Sequence, residues 1–440
     1  MSAQGGLIVA RLAELVDIET DSSNGETRMS TSPIDVGTAV DAAFQSHPIV
    51  DIHTHLYPAG MGALFLAGPD ELVTYHYLKA ETSRHLPLSQ VEGFNNLPTA
   101  DQADVVWKTL FAGDSSPISE AQVGVVTAMN ALGLSPRAAT LGPFRELYND
   151  MGASDYTDMV FEKSGVGRVY MTNDPLDPVE GPYWDAGLER DERFQAVLRL
   201  DSALMSWPDP VDKLTAVGYE VTAALDEPTL REIRRYLGDM CDRLNARYMA
   251  ISLPPDFTYP SDAPTSRLMR ECVYPTAQER GIPSAMMVGV TRQVNPALKD
   301  GGDSLGSWDL TNLERIARDW PDVEFLLTIL SREDQHELCV TARKFPNVTP
   351  FGCWWFLNNP SIIREITAER LELLGTTCIP QHSDARILDQ LLYKWTHSLR
   401  TIVPILVEKY QDLQNAGWPL TADDVRRDVA TMFGGGKLLD

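Results

Sequence analysis

The stretch of sequence that decides the fold is Pro48–Leu56, which reads PIVDIHTHL. It is an apolar run typical of a buried strand, and it ends in His53-Thr54-His55. Side chains two positions apart on a strand point to the same face, so His53 and His55 project together. Two neutral imidazoles side by side are half of a divalent-metal site. On this motif alone, a buried strand whose histidines only hydrogen-bond to their neighbours remains the alternative.

Seven further short apolar runs follow along the chain, and helical periodicity separates most of them. The other predicted strands are Gly167–Thr172, Phe194–Leu200, Tyr248–Leu253, Ser284–Val290, Glu324–Leu330, Val348–Trp355 and Thr376–Pro380. Predicted helices include Pro228–Leu244, Leu310–Asp319, Asp334–Phe345 and Ile362–Leu374. Because strand–helix alternation favours parallel pairing, eight units predict an α/β fold, a (β/α)8 TIM-type barrel. The rival, an open doubly wound sheet, would want a glycine-rich nucleotide loop after the first strand, and HTHLYP is not one.

The predicted domain organisation is a flexible N-terminal leader at residues 1–35 followed by one metal-dependent barrel at residues 36–440. The barrel carries a large helical insertion after strand 1, at about residues 56–164, where helical periodicity contains no convincing strand. One helix is predicted at Asp101–Phe111, and a second begins after the capping residue Ser119.

Composition excludes several classes of function. The formal net charge of −25 argues against binding to nucleic acid or to anionic membranes, so an anionic substrate would need a local cluster of arginines. The sequence has no secretory signal and no apolar run long enough to predict a transmembrane helix. The five cysteines are scattered and form no CxxC motif, which predicts buried thiols in a reducing compartment. We therefore expect a cytoplasmic protein.

The carboxyl ends of barrel strands carry the active site, so their residues can be compared directly. The eighth predicted strand ends in His382, Asp384 and Arg386, and it adjoins the first strand when a barrel closes. Asp384 would then add a carboxylate to His53 and His55, leaving open positions for water or substrate, as a catalytic divalent ion requires. His382 shares the face of Asp384, where it is either a substrate contact or a satisfied core histidine.

These motifs, in this order, resemble the uronate isomerase (glucuronate isomerase) family of the amidohydrolase superfamily. The resemblance runs from about residue 45 to the C-terminus. The matching pieces are DIHTHL from Asp51, His76-Tyr77, TNDPLD from Thr172, Phe194 with Arg199-Leu200-Asp201, VGVTR from Val288, GCWWF from Gly352, and Ser383-Asp384-Ala385-Arg386.

The resemblance implies aldose–ketose isomerisation of a hexuronate by a metal-dependent enzyme. It implies His53, His55 and Asp384 as ligands of one divalent ion, with zinc the favoured metal. The implied catalytic residues are Tyr77, Asp384 and Arg386, and the substrate-binding residues are His76, Arg199 and Trp355, with His382 as a further candidate. We also expect a small carboxylate substrate and a homo-oligomer.

The chain departs from the family on the pocket floor. Family members typically carry an Asp-His pair at the end of strand 4, where this chain has Met249–Ser252, and a histidine on strand 5, where it has Met287. Each lost hydrogen-bond partner costs a hydroxyl-rich substrate about 1–3 kcal/mol. The alternative is therefore a metal-assisted hydrolase, dehydratase or decarboxylase acting on a less polar acid or cyclic substrate. Since no ligands for a second metal are visible, we expect a mononuclear site. A non-catalytic barrel is the third possibility.

Overall fold

The computed structural model describes residues 33–187 and 190–435. Apart from residues 33–35, the predicted leader lies outside the described residues. The strands are β1 (Ile49–Thr54), β2 (Val166–Asn173), β3 (Phe194–Arg199), β4 (Met249–Leu253), β5 (Ser284–Val288), β6 (Val290–Thr291), β7 (Ser304–Leu305), β8 (Phe325–Ile329) and β9 (Val348–Pro350). Seven of them form a curled parallel sheet in the order β1-β2-β3-β4-β5-β8-β9, and β6 pairs with β7 in a short antiparallel hairpin.

Helices connect most of the parallel strands. They are α1 (Val36–Ser46), α2 (Pro69–Val73), α3 (His76–Ser83), α4 (Leu88–Asn95), α5 (Thr99–Leu110), α6 (Glu120–Ala131), α7 (Gly142–Met151), α8 (Ala153–Ser164), α9 (Gly181–Asp185), α10 (Asp201–Leu204), α11 (Val211–Ala216), α12 (Glu227–Leu244), α13 (Pro264–Leu268), α14 (Tyr274–Arg280), α15 (Thr311–Asp319), α16 (Gln335–Ala342), α17 (Pro360–Leu374), α18 (Leu391–Asn415) and α19 (Ala422–Phe433). Among the described residues, no helix combines the length and the apolar character needed to cross a membrane.

The segment between β1 and β2 is helical, from α2 to α8, and within the described residues it contains no strand. Ser119 caps α6 as predicted: its hydroxyl accepts from Gln122 N in a capping box. Helices α6 and α8 both pack against α18. The long helix α18 therefore ties this helical segment to the end of the chain that carries Asp384.

The last two predicted strands are where the sequence-based prediction was wrong. The seventh ends at Pro350 instead of Trp355, because the backbone turns at Gly352, which has φ +64°, and again at Trp355, which has φ +47°. The eighth, Thr376–Pro380, forms no regular strand and makes only the isolated bridge between Phe351 and Ile379. Backbone turns replace regular ladder pairing at both places.

The segment 378–385 nevertheless joins the two edge strands of the sheet through backbone hydrogen bonds. On one side Ile379 N donates to Pro350 O at 3.0 Å, and Gly352 N donates to Ile379 O at 2.8 Å. On the other side Asp384 N donates to His53 O at 3.1 Å, and His55 N donates to Ala385 O at 2.7 Å. The ends of β1 and β9 are thereby brought onto one short segment.

Two apolar clusters position the functional end of the sheet. The smaller one lies inside the curl and includes Ile52, Tyr170, Val197, Tyr248 and Phe351, whereas the larger one lies between the sheet and the helices. Alternation along each strand sends successive side chains to these two cores. The inner cluster packs next to the polar residues at the strand ends and fixes the backbone that carries them.

Gly352, at this junction, has no room for a side chain. Its positive φ strains any L-residue, and a Cβ atom there would overlap the His382 ring. We expect Gly281→Ala, also at positive φ but with nothing near its Cβ, to lower the free energy of unfolding by about 1–2 kcal/mol. Gly352→Ala should lower the free energy of unfolding by about 1–3 kcal/mol more than Gly281→Ala does, because its Cβ atom also overlaps His382. Urea unfolding of both variants checks this, and equal midpoints would show that His382 does not pack here.

Candidate metal centre and its pocket

Three potential metal ligands meet where the end of β1 faces the segment 378–385. Their ligand atoms all lie within 4.8 Å of one another. Asp384 Oδ1 is 3.7 Å from His53 Nε2 and 3.4 Å from His55 Nε2. His53 and Asp384 are buried and His55 is partly buried. The backbone hydrogen bonds of segment 378–385 thus bring together residues 331 or 329 positions apart in the sequence, as the strand-end pattern predicted.

The unsatisfied atoms of this cluster fit a divalent cation. Both ring nitrogens of His53 and Oδ1 of Asp384 are buried without a hydrogen-bond partner in the described part of the chain. Buried polar atoms are normally paired, so such a concentration of unpaired polar atoms needs an explanation. Two imidazoles and one carboxylate are a donor set that divalent metals bind, with coordination positions left open for other ligands.

Thr172 on β2 orients one of the ligands. Its Oγ1 donates to Thr54 O at 3.0 Å and lies 2.9 Å from His55 Nδ1. Because the hydroxyl proton is committed to the carbonyl, Oγ1 accepts a hydrogen bond from Nδ1–H of His55. The proton therefore resides on Nδ1, and the lone pair of Nε2 faces Asp384, the tautomer that a metal ligand needs.

A buried lysine supports the third ligand. Lys394 on α18 donates from Nζ to Ser383 O at 2.7 Å and to Asp384 O at 3.3 Å. Asp384 has φ +50°, a conformation that non-glycine residues rarely adopt. The lysine bonds, together with the bond from Asp384 N to His53 O, hold this turn and aim the carboxylate at the histidines.

The protonation states of the cluster suit a cation. Burial, with the neighbouring His55, lowers the pKa of His53 to about 3, and burial, with Arg386, lowers the pKa of His55 to about 4. Burial alone would raise the pKa of Asp384, but His55, His53 and Lys394 hold that pKa well below its usual value. At neutral pH the cluster is therefore two neutral imidazoles and one carboxylate.

A small cavity of ≈20 Å³, the metal-side cavity, opens in front of the histidines. Its lining includes the guanidinium groups of Arg199, Arg292 and Arg386. Arg199 is 3.3 Å from the carboxylate of Asp201, and Arg292 is 2.6 Å from that of Asp303. Within the described residues the guanidinium of Arg386 has no ion-pair partner, and its Nε is buried and unbonded. Arg386 is thus the cation best placed to receive an anionic ligand.

The floor of the metal-side cavity matches the departures seen in the sequence. Ala250, Ile251, Ser252 and Met287 line it, so three of its four floor residues are apolar. Trp354 and Trp355 line it as well. The cavity therefore combines a polar, cationic side with an apolar one.

The predicted site residues do not all reach this cavity. His53, His55, Arg199, Arg386 and Trp355 line it. His382 is fully buried behind it, 5.2 Å from the His53 ring between ring centres. His76 is buried beside Trp355, with ring centroids 5.7 Å apart. Tyr77 lines a different cavity, which shares Trp355 with the metal-side cavity.

Three residues of the site were not assigned a role from the sequence. Arg292 and Asp201 line the metal-side cavity, and Thr172 both lines it and orients His55. Arg292 and Asp201 each follow a predicted strand closely, so the strand-end rule could have found them. Thr172 ends a predicted strand, so the same rule places it at the site, but its role in orienting His55 could not be predicted because it depends on contact with a residue 117 positions away.

Comparison with solved structures finds uronate isomerases. One from Bacillus halodurans C-125 is 43% identical with a TM-score of 0.88, and the match covers 91% of this chain and 96% of that one. Two further structures share the fold. A uronate isomerase from Thermotoga maritima is 15% identical with a TM-score of 0.72, and the match covers 92% of this chain and 97% of that one. A glucuronate isomerase from Caulobacter crescentus is 14% identical with a TM-score of 0.69, and the match covers 94% of this chain and 95% of that one. No family model and no curated protein matches the chain.

The lowered histidine pKa values predict how stability depends on pH. In the unfolded chain His53 and His55 take up protons below pH 6.5, whereas in the folded protein they stay neutral to about pH 4. Their contribution to the free energy of unfolding is therefore fully present above pH 6.5 and is lost as the pH falls from 6.5 towards 4. At pH 5 the loss should be about 2 kcal/mol per imidazole.

Urea unfolding of metal-stripped protein at pH 7 and pH 5 measures this loss. The double variant His53→Asn/His55→Asn should lose about 4 kcal/mol less than the wild type between the two pH values. The other ionisable groups are common to both proteins and cancel in the difference. Equal losses in the two proteins would contradict neutral, buried imidazoles.

Proposed function

Because the chain belongs to the uronate isomerase family, we propose that it catalyses aldose–ketose isomerisation of a hexuronate at the His53–His55–Asp384 cluster. The observation that carries this proposal is the 43% identity to a uronate isomerase over 91% of the chain, in a chain whose metal-ligand cluster is intact. The arginines beside that cluster are suited to a sugar acid, since guanidinium groups bind carboxylates in a bidentate manner.

The reaction moves a proton between C2 and C1 of an aldose. It therefore requires an electrophile at the C1 and C2 oxygens and an acid–base group at C2. We assign one ion per chain, with zinc favoured by the two-histidine, one-carboxylate set. When bound, such an ion supplies the Lewis acid that polarises the carbonyl and hydroxyl oxygens. The three protein ligands His53, His55 and Asp384 would hold it.

The remaining residues bind and orient the substrate. Arg386, without an ion-pair partner in the described chain, is available to an anionic or developing negative oxygen. Arg199 and Arg292 are already paired with Asp201 and Asp303, which fixes their guanidinium groups in place. We therefore assign Arg199 to the substrate carboxylate, as a preorganised contact, and Arg386 to the reacting end.

Tyr77 is the candidate for proton transfer. Burial, then the neighbouring Tyr75 and Asp384, raise the pKa of its phenol well above 10. At neutral pH Tyr77 therefore carries its proton and can donate a hydrogen bond to a substrate oxygen. A role as the base at C2 would need that pKa to fall when substrate binds, and Arg386 acts in that direction.

The apolar floor supports a second candidate function. Ala250, Ile251 and Met287 offer no hydrogen bonds to sugar hydroxyls through their side chains. A hydrolase, dehydratase or decarboxylase acting on a less polar acid or cyclic compound would use the same ligands and the same arginines. A screen of such compounds beside the hexuronates separates the two functions.

We also propose a closed (β/α)8 barrel spanning residues 36–440, with residues 56–164 as a helical insertion and residues 1–35 as a leader. The backbone hydrogen bonds of segment 378–385 to both edge strands support the closure. The five cysteines are buried and free, which supports a cytoplasmic location. The substrate is a small molecule, and the protein assembles as a homo-oligomer.

The metal assignment predicts that His55→Ala abolishes metal binding, because the variant removes one of three protein ligands. Metal analysis should give about one ion per chain for the wild type and almost none for the variant. His85→Ala, which removes an exposed histidine far from the cluster, should retain the ion. Equal metal contents in all three proteins would contradict the cluster as the binding site.

The isomerase assignment predicts that wild-type protein in D₂O converts glucuronate or galacturonate into the ketose and places deuterium at C2. NMR detects both changes. Tyr77→Phe should lower kcat by about 10²–10⁴-fold, the usual contribution of a positioned proton-transfer group. Tyr219→Phe, on a tyrosine bonded to Asp239 and distant from the site, should leave kcat unchanged. Neither ketose nor deuterium at C2 would refute isomerisation of these sugars.

A further inference from the structure

The metal-side cavity is too small for the proposed substrate. A cavity needs roughly 10–15 Å³, measured with a water-sized probe, to hold one water molecule. At ≈20 Å³ the metal-side cavity has room for one or two waters. An open-chain hexuronate is many times larger, so the site must enlarge before His55 and Arg386 can contact it together.

A second cavity, of ≈210 Å³, is also lined by Trp355. Its lining includes Tyr77, Glu81, Asn358 and Lys394. Among the described residues, Trp355 is the one that lines both cavities. His53 and His55 on the one hand and Tyr77 on the other therefore line neighbouring cavities that meet at Trp355.

Trp355 has an unusual backbone conformation and a buried indole N–H without a partner among the described residues. Its φ of +47° is unusual for a bulky residue and occurs where surrounding structure imposes it. Its indole N–H is buried with no hydrogen-bond partner among the described residues, although buried tryptophans usually have one. The ring is held by His76 at 5.7 Å, by stacking on Phe356 at 4.8 Å and by the guanidinium of Arg292 at 6.0 Å.

The backbone on either side of Trp355 is firmly anchored. Arg370 donates to Gly352 O at 2.8 Å, and Cys353 N donates to the Gln381 side chain at 2.8 Å. After the tryptophan, Asn358 donates to Ser383 O at 3.3 Å. A conformational change at this point is therefore expected in the Trp355 side chain, while the backbone of the loop stays in place.

We propose that the two cavities are one substrate site that Trp355 divides in the ligand-free protein, and that the indole turns aside when an open-chain hexuronate binds. Turning the indole joins the two volumes and lets Tyr77 face His55 and Arg386. It also brings the indole N–H towards acceptors that line the second cavity, including the side chains of Glu81 and Asn358. The proposal rests on the proposed isomerase function for the identity of the ligand.

The movement can be observed by ¹⁹F NMR of protein labelled with 5-fluorotryptophan. The chain has nine tryptophans, and the spectrum of Trp355→Phe assigns the resonance of Trp355. The probe is L-gulonate, the open-chain acid in which an alcohol replaces the aldehyde of glucuronate, so that it binds without reacting. We expect the Trp355 resonance to shift on titration. The Trp395 resonance should not, because its N–H is bonded to Asp51 at 2.8 Å.

The second cavity can be filled without touching the metal side. Ala121 on α6 lines that cavity, and Ala121→Leu reduces its volume. Ala131→Leu makes the same change at the other end of the same helix, away from both cavities. We expect Ala121→Leu to lower kcat/KM for glucuronate at least tenfold and to weaken gulonate binding, with Ala131→Leu within twofold of wild type.

Two results would overturn the proposal while leaving the isomerase function in place. One is turnover of glucuronate by wild-type protein whose Trp355 resonance stays fixed as gulonate saturates other resonances. The other is unchanged kinetics in Ala121→Leu. Absence of glucuronate and galacturonate turnover in the wild type would instead refute the proposed function, and with it the hexuronate as the ligand of the joined site.

Discussion

A single buried carboxylate joins the beginning of the sheet to the end of the chain. Asp51 on β1 is fully buried; its Oδ1 accepts from Ser383 N at 3.0 Å, and its Oδ2 accepts from the indole N–H of Trp395 at 2.8 Å. A buried carboxylate without such partners is strongly destabilising, so both contacts are required for the fold. Because Ser383 precedes Asp384, the contact between Asp51 and Ser383 also places the third proposed metal ligand beside His53.

The helix that supplies Trp395 also supplies Lys394, so two adjacent residues of α18 serve the same junction. Trp395 secures Asp51 beneath the cluster, while Lys394 secures the carbonyls of Ser383 and Asp384 above it. The unfavourable left-handed backbone of Asp384 is offset by these bonds. The metal cluster is therefore a consequence of how α18 docks, and its geometry depends on the helical segment packed against that helix.

The sequence predicted those parts of the structure that depend on local patterns. Strand alternation located His53 and His55, apolar runs located five of the later strands to within a few residues, and Ser119 marked the start of α6. The failures at Trp355 and at Thr376–Pro380 have one cause: the turns there are imposed by remote partners such as Arg370 and Gln381. No local periodicity encodes such partners. Tyr77 was a candidate only through the family resemblance, and the structure places it in the second cavity, which shares Trp355 with the metal-side cavity.

The charge of the site resolves the conflict between an acidic protein and an acidic substrate. Charges more than about 8 Å apart are largely screened at physiological ionic strength, so the net −25 of the whole chain matters less than the groups lining the cavity. There, Asp201 neutralises Arg199 and Asp303 neutralises Arg292. The remaining positive charge of Arg386 is balanced by the negative charge of Asp384 in the cluster. The protein groups alone are thus close to neutral, and a divalent cation at the cluster would make the cavity positive. Binding of an anionic substrate should therefore depend on the occupied cluster as much as on the arginines, which couples recognition of the acid to the electrophile that activates it.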